Sequence, residues 1–426
     1  MLVDCGLFQG YKELRLRNWS QLPLDPATVH AVVLTHSHID HSGYIPLLVK
    51  NGFKGRIYCS EATRDLCSIL LPDSGYLQEE EARLANLWGY SKHKPALPLY
   101  TREDAENSLS NFSPVHFGTE YSLPDELSFK LMHAGHIMGA SMLELRYNQL
   151  SWLFTGDLGR PNDPIMTAPA TVQYVDYLVT ESTYGDRSHG DADPMQELAN
   201  IINQTVKQGG SVIVPAFAVG RAQSLLYYIY HLKKKQWIPD IPVYLDSPMA
   251  VNATKVFYQH ANETRLSHAE ALAICSHVTY IDKIEESQAL DESKMPMILI
   301  SASGMATGGR VLHHLAAFLP DHRNTVLFTG YQAGGTRGDR LMKGETEVKI
   351  HGKMVPVRAR VTELDNMSAH VDADEMIAWL AKFTKPPRKI FLTHGEPNSA
   401  TALQQRIKQE LHWDCEVPTY LQTVTV

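Results

Sequence analysis

Four short apolar segments, far apart in the chain, each end in a threonine that is followed, at once or after one glycine, by a potential metal ligand. They are AVVLTH ending at His36, SWLFTGD at Asp157, DYLVTE at Glu181 and KIFLTH at His394. Runs of this length and composition are typical of buried strands. In layered α/β folds, groups just beyond the strand ends face a common crevice. Turn chemistry explains any one of these endings, but the set of four predicts an α/β fold with one shared site.

The first segment continues into HSHIDH, which places three histidines and an aspartate within six residues. The turn after the strand allows His36 and His38 to reach one ion. Asp40 and His41, at the start of the next helix, can reach another. Neutral imidazoles with carboxylate oxygens suit zinc, and manganese and iron remain alternatives. Because two ions need more than four ligands, the sequence predicts that others lie downstream.

Candidates for the remaining ligands lie on three later segments. His136 precedes Met-Gly-Ala-Ser, small residues that let the backbone approach a site closely, whereas His133 lacks such a setting and is interpreted as structural. The segment LELRYNQLSWLFTGD predicts a hairpin that turns at residues 148–149 and ends at Asp157. A single carboxylate in that position can bridge two metals. His394, in FLTHGEP near the C-terminus, completes the set.

The middle of the chain has a different pattern, in which helices alternate with strands. DPMQELANIINQTVKQGG has an Asp-Pro start, apolar residues at helical spacing and a glycine stop. SVIVPAF, PVYLDS, MPMILIS and NTVLFTG follow as strands, which predicts an open, mainly parallel sheet covered by helices. The fourth metal-bearing strand comes only afterwards. The first domain is therefore expected to occupy residues 1–185 and 368–426, with residues 186–367 inserted as a cap.

Length, charge and cysteine content limit the classes of protein that fit. A chain of 426 residues, 44% hydrophobic, can bury a large core, as two domains. It has no apolar run of membrane-spanning length, and the stretch MLVDCGLFQG lacks the basic region and the long apolar stretch that are typical of a secretory signal. Five cysteines without a C-x-x-C pair indicate reduced thiols and a cytoplasmic location. The formal charge of −8 gives no general attraction to nucleic acid, so a polyanionic substrate needs a local positive site.

Motifs along nearly the whole chain resemble one family. They include LVDCGLFQG, LTHSHIDHSGYIP, AGHIMGAS, FTGDLGR, TESTYGDRSH, VPAFAVGRAQ, SASGMATGGR, TGYQAGGT, MSAHVDADE and LTHGEP. The set resembles the β-CASP branch of the metallo-β-lactamase fold, and within it the bacterial and archaeal proteins similar to the endonuclease subunit of the cleavage and polyadenylation specificity factor. The resemblance implies an αββα sandwich with an inserted β-CASP domain built on a parallel α/β sheet.

The resemblance also implies a role for each candidate site residue. His36, His38 and His136 would hold one zinc, Asp40, His41 and His394 the other, and Asp157 would bridge the two. Asp4 would orient ligand imidazoles. His370, in SAHVD, would contact the scissile phosphate or protonate the leaving oxygen, with Glu181 holding its ring.

The reaction implied is metal-dependent hydrolysis of RNA phosphodiester bonds by a hydroxide that bridges two zinc ions, leaving a 5′-phosphate and a 3′-hydroxyl. Asp40 would then also be a catalytic residue. Within the family, histidine at the position of His394 points to RNA, in processing or decay, rather than to DNA, and a cleft beneath the inserted cap would favour single strands. Endonuclease and exonuclease action both remain open, and analogy suggests a homodimer. Two alternatives remain, which are a non-catalytic RNA-binding scaffold and a small-molecule hydrolase of the thioesterase or lactonase type.

Three motifs of the insert offer substrate contacts, each beside a structural alternative. SASGMATGGR, with Ser301, Ser303 and Arg310, can cradle a phosphate backbone or be an ordinary glycine-rich loop. TGYQAGGTRGDR offers Tyr331 for base stacking and Arg337 for phosphates, or simply solvated residues. Arg340 in the same motif has the same two interpretations. Arg221 in FAVGRAQ, at the opening of a helix, can either cap or pack against that helix or contact RNA.

The beginning of the chain departs from the family pattern. Family members usually begin with a strand, a glycine-rich turn and a second strand before LVDCG, and this chain starts at the second of those strands. Either the start of the chain is assigned late, or the first domain lacks N-terminal strand structure, which would expose a pairing edge.

Overall fold

The computed structural model of the protein describes residues 1–89, 91–190 and 192–425, apart from the side chain of residue 365. The strands are β1 (Leu2–Val3), β2 (Ala31–Val33), β3 (Arg56–Cys59), β4 (Phe112–Pro114), β5 (Glu120–Ser122), β6 (Ser128–His133), β7 (Ser141–Tyr147), β8 (Leu150–Phe154), β9 (Tyr177–Glu181), β10 (Val212–Pro215), β11 (Val243–Leu245), β12 (Thr279–Tyr280), β13 (Ile298–Ser301), β14 (Thr325–Phe328), β15 (Glu347–Ile350), β16 (Lys353–Pro356), β17 (Arg360–Glu363), β18 (Lys389–Thr393) and β19 (Cys415–Glu416).

The α-helices are α1 (Lys12–Arg17), α2 (Ile39–Ser42), α3 (Ile45–Lys50), α4 (Glu61–Trp88), α5 (Arg102–Ser108), α6 (Pro194–Lys207), α7 (Arg221–Lys234), α8 (Pro248–Gln259), α9 (His268–Ser276), α10 (Ile284–Asp291), α11 (Val311–Phe318), α12 (Arg337–Met342), α13 (Ala373–Leu380) and α14 (Pro397–Arg406). In the described part of the chain, none of these helices combines the length and the apolar character that a membrane crossing requires.

The chain forms two compact units. The first consists of Met1–Leu7, Leu22–His189 and Ala369–Val426, and the second of Phe8–Gln21 and Gly190–Ser368. The second unit thus contains the middle of the chain together with a short N-terminal segment that its sequence position alone would assign to the first.

The first unit contains two sheets that pack face to face. One has the strand order β1-β2-β3-β4 and is parallel, and the other has the order β19-β18-β9-β8-β7-β6-β5 among the described residues. Strand β2 shows why the layers form. Its consecutive side chains Val32 and Val33 point to opposite faces of the sheet, and both side chains are buried. Val33 packs with Leu131 and Leu143 of the other sheet, while Val32 packs on the other side with Leu48 of α3.

Helices cover the outer faces of both sheets. Helices α3, α4 and α5 contribute to the core outside the first sheet. On the second sheet, α14 packs against β18, and Met376 of α13 places its Sδ 3.8 Å from Thr180 Oγ1 of β9. The layers therefore follow the order helix, sheet, sheet, helix, which confirms the predicted αββα sandwich.

The hairpin predicted before Asp157 is present, with β7 and β8 paired antiparallel from Leu143 with Phe154 to Tyr147 with Leu150. Asn148 and Gln149 have φ values of 47° and 65°. Two left-handed residues are what a tight hairpin turn requires, because their twist matches that of the strands.

The second unit is built around a parallel sheet with the order β12-β11-β13-β10-β14-β17, and β15 and β16 form a separate antiparallel pair. The four predicted strand segments of the insert correspond to β10, β11, β13 and β14. Helix α6 begins as its sequence predicts, because Asp193 accepts a hydrogen bond from the Met195 N–H and proline occupies the next position. Buried side chains such as Leu299, Phe328 and Leu315 form the core of this unit.

Candidate metal centre

Four side chains of the first unit converge just beyond the ends of β2 and β8. His36 and His38 lie in the turn between β2 and α2, His136 in the turn between β6 and β7, and Asp157 follows β8. The Nε2 atom of His36 lies 3.1 Å from His38 Nδ1 and 3.4 Å from Asp157 Oδ2. The Nε2 atom of His136 lies 3.3 Å from His38 Nδ1 and 3.5 Å from Asp157 Oδ2. We call these residues the first ligand group.

A second ligand group adjoins the first and shares Asp157 with it. Asp40 and His41 lie in α2, and His394 follows β18. His41 Nε2 lies 3.0 Å from His394 Nε2 and 3.1 Å from Asp157 Oδ1. His394 Nε2 is 3.3 Å from Asp40 Oδ2. One oxygen of Asp157 therefore faces each group.

The donor spacing in both groups fits tetrahedral zinc. Four ligand atoms at about 2.1 Å from a zinc ion lie about 3.4 Å from one another. The measured separations are 3.1 to 3.5 Å in the first group and 3.0 to 3.3 Å in the second. Imidazole nitrogens with carboxylate oxygens are also a donor set that binds zinc in proteins. The seven side chains predicted as ligands thus lie in two groups, each with the chemistry and spacing to hold one divalent ion.

Burial and charge give the histidines of the two groups different electrostatic environments. Burial lowers the pKa of His36, His38 and His136, to about 3 for His38, so these rings are neutral, the form that binds a metal. Burial also lowers the pKa of His394, but the carboxylates of Asp157 and Asp40 outweigh it and raise that pKa to about 9. The carboxylates thus attract positive charge to the second group.

Asp4 connects the two groups to the backbone behind them. Its Oδ1 accepts a hydrogen bond from the Thr35 N–H at 2.7 Å, and its Oδ2 accepts from the Thr35 hydroxyl at 2.8 Å and from His41 Nδ1 at 2.7 Å. The same hydroxyl lies 3.1 Å from His36 Nδ1. Asp4 therefore fixes the ring of His41 directly and that of His36 through Thr35. Sequence reasoning did not assign Thr35 a role. The threonine that lies before the potential ligand at the end of each of the four strands is the pattern that could have identified it.

We expect Asp4→Asn to weaken metal binding by about 10- to 100-fold, the usual cost of losing a carboxylate that orients a ligand imidazole. Asparagine tolerates the left-handed backbone of this position, where φ is 58°, so the turn is preserved. Competition with a chromophoric chelator measures the affinity. Asp25→Asn, at an exposed turn of the same unit, is the matched control and should bind metal as the wild type does. Equal affinity in both variants would contradict the role of Asp4.

His370 and Glu181 form a pair beside the first group. His370 Nδ1 lies 3.0 Å from Glu181 Oε2, and its Nε2 is 4.0 Å from Asp157 Oδ2. Glu181 is held in turn because it accepts a hydrogen bond from the Leu158 N–H. Burial lowers the pKa of His370, but the charge and hydrogen bond of Glu181 outweigh it and raise the pKa. Glu181 thus favours the protonated form of the ring, whose Nε2 faces the metal ligands.

A histidine that sequence reasoning did not assign supports the backbone of His370. His189 Nε2 lies 3.0 Å from the His370 carbonyl oxygen, and its own N–H donates to Asp372 at 2.7 Å. Asp372 also caps α13 through the Glu375 N–H. The motif TESTYGDRSH contains His189, but its hydrogen bond reaches 181 residues along the chain, so only the tertiary structure identifies it.

The residues predicted to contact substrate lie in the second unit, and four of them have partners within it. The Ser301 hydroxyl donates to the Asp246 carbonyl oxygen at 2.7 Å, and Ser303 Oγ accepts from the Thr307 N–H at 3.0 Å. Arg310 pairs with Asp246 at 2.6 Å. Arg337 donates to the carbonyl oxygens of Lys349 and Ala306, and Tyr331 is half-buried. Of the alternatives the sequence left open, these bonds favour structural roles for Arg310 and Arg337.

The other two arginines considered for substrate contact also lie in the second unit. Arg340 forms an ion pair with Glu345, and Arg221 is buried at the start of α7. His133, interpreted as structural, stacks its ring on Phe117 with 3.9 Å between ring centres.

Asp246→Asn is expected to destabilise the second unit by about 3 kcal/mol. Asp246 is fully buried and pairs with both Arg310 and His314, and removing one partner of a buried ion pair costs about 3 to 5 kcal/mol. The lower end applies because Arg310 retains some exposure. Denaturant titration measures the change, and Asp240→Asn at an exposed ion pair should leave the unfolding midpoint close to that of the wild type. A loss below about 1 kcal/mol for Asp246→Asn would show that the pairing contributes little.

Comparison with protein families gives three matches along the chain. Residues 1–207 match the metallo-beta-lactamase superfamily, residues 222–341 the Beta-Casp domain, and residues 354–418 the Zn-dependent metallo-hydrolase RNA specificity domain.

Curated relatives match over most of the chain. Ribonuclease TTHA0252 of Thermus thermophilus is 33% identical over 410 residues, which cover 95% of this chain and 89% of that protein. The RNase J-like protein of Methanocaldococcus jannaschii is 29% identical, with 99% of this chain and 92% of that protein covered. Transcription termination factor FttA of the same organism is 27% identical, with 100% and 68% covered.

A solved structure shares the fold. It is a protein of unknown function from Enterococcus faecalis V583, with a TM-score of 0.52 and 13% sequence identity over 91% of this chain and 79% of that one. At this identity, the similarity concerns the fold alone.

Proposed function

The chain belongs to the β-CASP family of the metallo-β-lactamase superfamily, and from that premise we propose that it is a metal-dependent ribonuclease that hydrolyses RNA phosphodiester bonds at the candidate metal centre. The observation that carries the proposal is the sharing of Asp157, which presents one carboxylate oxygen to each of two ligand groups at zinc-like spacing. The relatives named for RNA cleavage and the match to an RNA specificity domain support RNA as the substrate.

Zinc is the ion that the donor set fits best, one for each ligand group. When bound, a pair of divalent ions lowers the pKa of water and stabilises the charge that develops on a phosphodiester. His36, His38 and His136 would hold one ion, and Asp40, His41 and His394 the other. Asp40 and Asp157 neutralise only half of the charge of two such ions, so the loaded centre would attract a phosphate despite the acidic chain.

His370 would be the proton donor of the reaction. Its Nε2 points toward the ligand groups, while Glu181 holds its Nδ1 and keeps the ring oriented. A proton delivered from Nε2 to the leaving 3′-oxygen would leave a 3′-hydroxyl on one product and a 5′-phosphate on the other. Asp4 would keep the His41 imidazole, and Thr35 the His36 imidazole, in the tautomer that binds metal.

An assay of 5′-labelled single-stranded RNA with added zinc tests the proposal. The wild type should cleave the RNA to fragments with 3′-hydroxyl ends, and an Asp40→Ala, His41→Ala double variant should not. Binding of RNA without cleavage by either protein would contradict the proposal and favour a scaffold. Hydrolysis of a thioester or lactone without RNA cleavage would contradict it in favour of a small-molecule hydrolase.

A further inference from the structure

The segment from Phe8 to Gln21 forms a closed loop on the second unit. The buried side chain of Asn18 ties its ends together, because its Oδ1 accepts from the Phe8 N–H at 2.8 Å and its Nδ2 donates to the Phe8 carbonyl oxygen at 2.9 Å. Tyr11 packs on the glycines that follow Ala333, where a Cβ added to Gly334 would lie 2.1 Å from the Tyr11 hydroxyl. These contacts hold the segment in one conformation.

Large apolar side chains of this segment remain exposed. Trp19 keeps 59% of its surface accessible, Leu16 56% and Tyr11 47%. Monomeric proteins rarely leave several such groups together on a surface that binds nothing.

The same segment is basic, although the chain as a whole is acidic. Residues 8–21 contain three basic residues, Lys12, Arg15 and Arg17, and one acidic residue, Glu13. The whole chain, in contrast, has a net charge of −8. Lys12 and Arg15 are exposed, and the Arg17 guanidinium lies over the Phe8 ring at 5.4 Å. The local charge is therefore opposite to that of the chain and complementary to a polyanion.

We propose that single-stranded RNA binds to one surface of this segment, which we call the basic-aromatic surface. It consists of Tyr11, Lys12, Arg15, Leu16 and Trp19. Proteins that hold single strands combine basic groups that follow the phosphates with aromatic rings on which bases stack. Trp19 and Tyr11 supply the rings, and Lys12 and Arg15 supply the charges, on a surface that is ordered in advance. The choice of RNA over another polyanion rests on the proposed function.

A second cluster in the same unit provides a matched control. Lys235 lies over the Trp237 ring at 4.8 Å, and Lys234 over the Tyr230 ring at 5.7 Å. This cluster has the same residue types, but its own lysines cover the aromatic rings, which leaves less of each ring available for stacking.

The test measures binding of a fluorescein-labelled 12-nucleotide RNA by anisotropy, on an Asp40→Ala background so that the RNA is not cleaved. Trp19→Ala should raise the Kd about tenfold through lost stacking, with no change in its dependence on salt. Arg15→Gln should reduce the slope of log K against log salt by about 0.7, the value for one phosphate contact to a single strand. Trp237→Ala should leave both quantities unchanged. Circular dichroism and thermal melting verify that each variant is folded.

The outcomes distinguish failure of the proposed RNA-binding surface from failure of the proposed ribonuclease activity. A Kd within twofold of the parent for both surface variants overturns the proposal, whether or not the wild type cleaves RNA. Lowered affinity in both variants supports it, even if the wild type fails the cleavage assay that tests the proposed function. If sedimentation shows that Trp19→Ala separates a dimer while RNA affinity is unchanged, the surface joins two copies of the chain and the proposal is wrong.

Discussion

Replacing Asp157 by alanine should remove metal from both ligand groups and lower RNA cleavage at least about 10⁴-fold. Asp157 places Oδ2 at 3.4 and 3.5 Å from His36 and His136 of the first group, and Oδ1 at 3.1 Å from His41 of the second. Without it, each group loses a donor, and the two groups lose the carboxylate that they share. Since attack and charge stabilisation both depend on the ions in the proposed reaction, metal binding and RNA cleavage should be lost together. Elemental analysis and initial rates on labelled RNA measure them.

The matched control for Asp157 is Glu144→Gln. Glu144 is a buried carboxylate on β7 of the same sheet, and it pairs with Lys130 and Arg146 away from the ligand groups. This variant should keep its metal and cleave RNA at close to the wild-type rate. An Asp157→Ala protein that retained two ions per chain, or cleaved RNA within tenfold of the wild type, would contradict the shared role of Asp157.

His370→Ala should lower kcat on RNA by about 10² to 10⁴-fold, the usual contribution of a general acid, while metal content stays at the wild-type value. The reason for this difference from Asp157→Ala lies in the geometry. His370 is held by Glu181 at 3.0 Å, and its Nε2 lies 4.0 Å from the nearest oxygen of Asp157. The ring can therefore deliver a proton without being needed to hold an ion.

The leaving group distinguishes proton donation from a structural effect of the His370 substitution. A p-nitrophenyl phosphodiester expels a stable anion that needs no proton, so His370→Ala should lower its hydrolysis far less than that of RNA. His133→Ala, which removes a ring stacked on Phe117, is the control and should affect both substrates equally little. Equal losses on RNA and on the p-nitrophenyl ester would exclude His370 as the acid, and loss of metal would make it a ligand.

The parts of the site that the sequence predicted are those in which a short motif fixes the geometry. Strand β2 ends at Val33, just before HSHIDH, and α2 begins within this motif at Ile39. The backbone itself therefore turns His36 and Asp40 toward different ligand groups. The hairpin before Asp157 turns at two adjacent residues with left-handed backbone, of which Asn148 is a type that tolerates this conformation. Short apolar runs such as AVVLTH predicted buried strands of an α/β fold. Each of these signals is local, and each could be read without tertiary information.

What the sequence did not reveal depends on contacts between distant residues. Nothing in the segment around Thr35 shows that its hydroxyl donates to Asp4, 31 positions away. Arg310 is a plausible phosphate ligand until its partner, the buried Asp246, is known. The segment Phe8–Gln21 follows a strand of the first unit but packs with the second. In each case the partner is brought into place by the fold, and residue type alone does not identify it.

Elemental analysis of the purified wild-type protein, combined with its rate of RNA cleavage before and after a chelator, tests the central claim most directly. The structure predicts two divalent ions per chain, zinc by its donor set, with cleavage lost when they are removed and regained when zinc is restored. A protein that cleaves RNA at the same rate with fewer than one ion per chain would contradict the account.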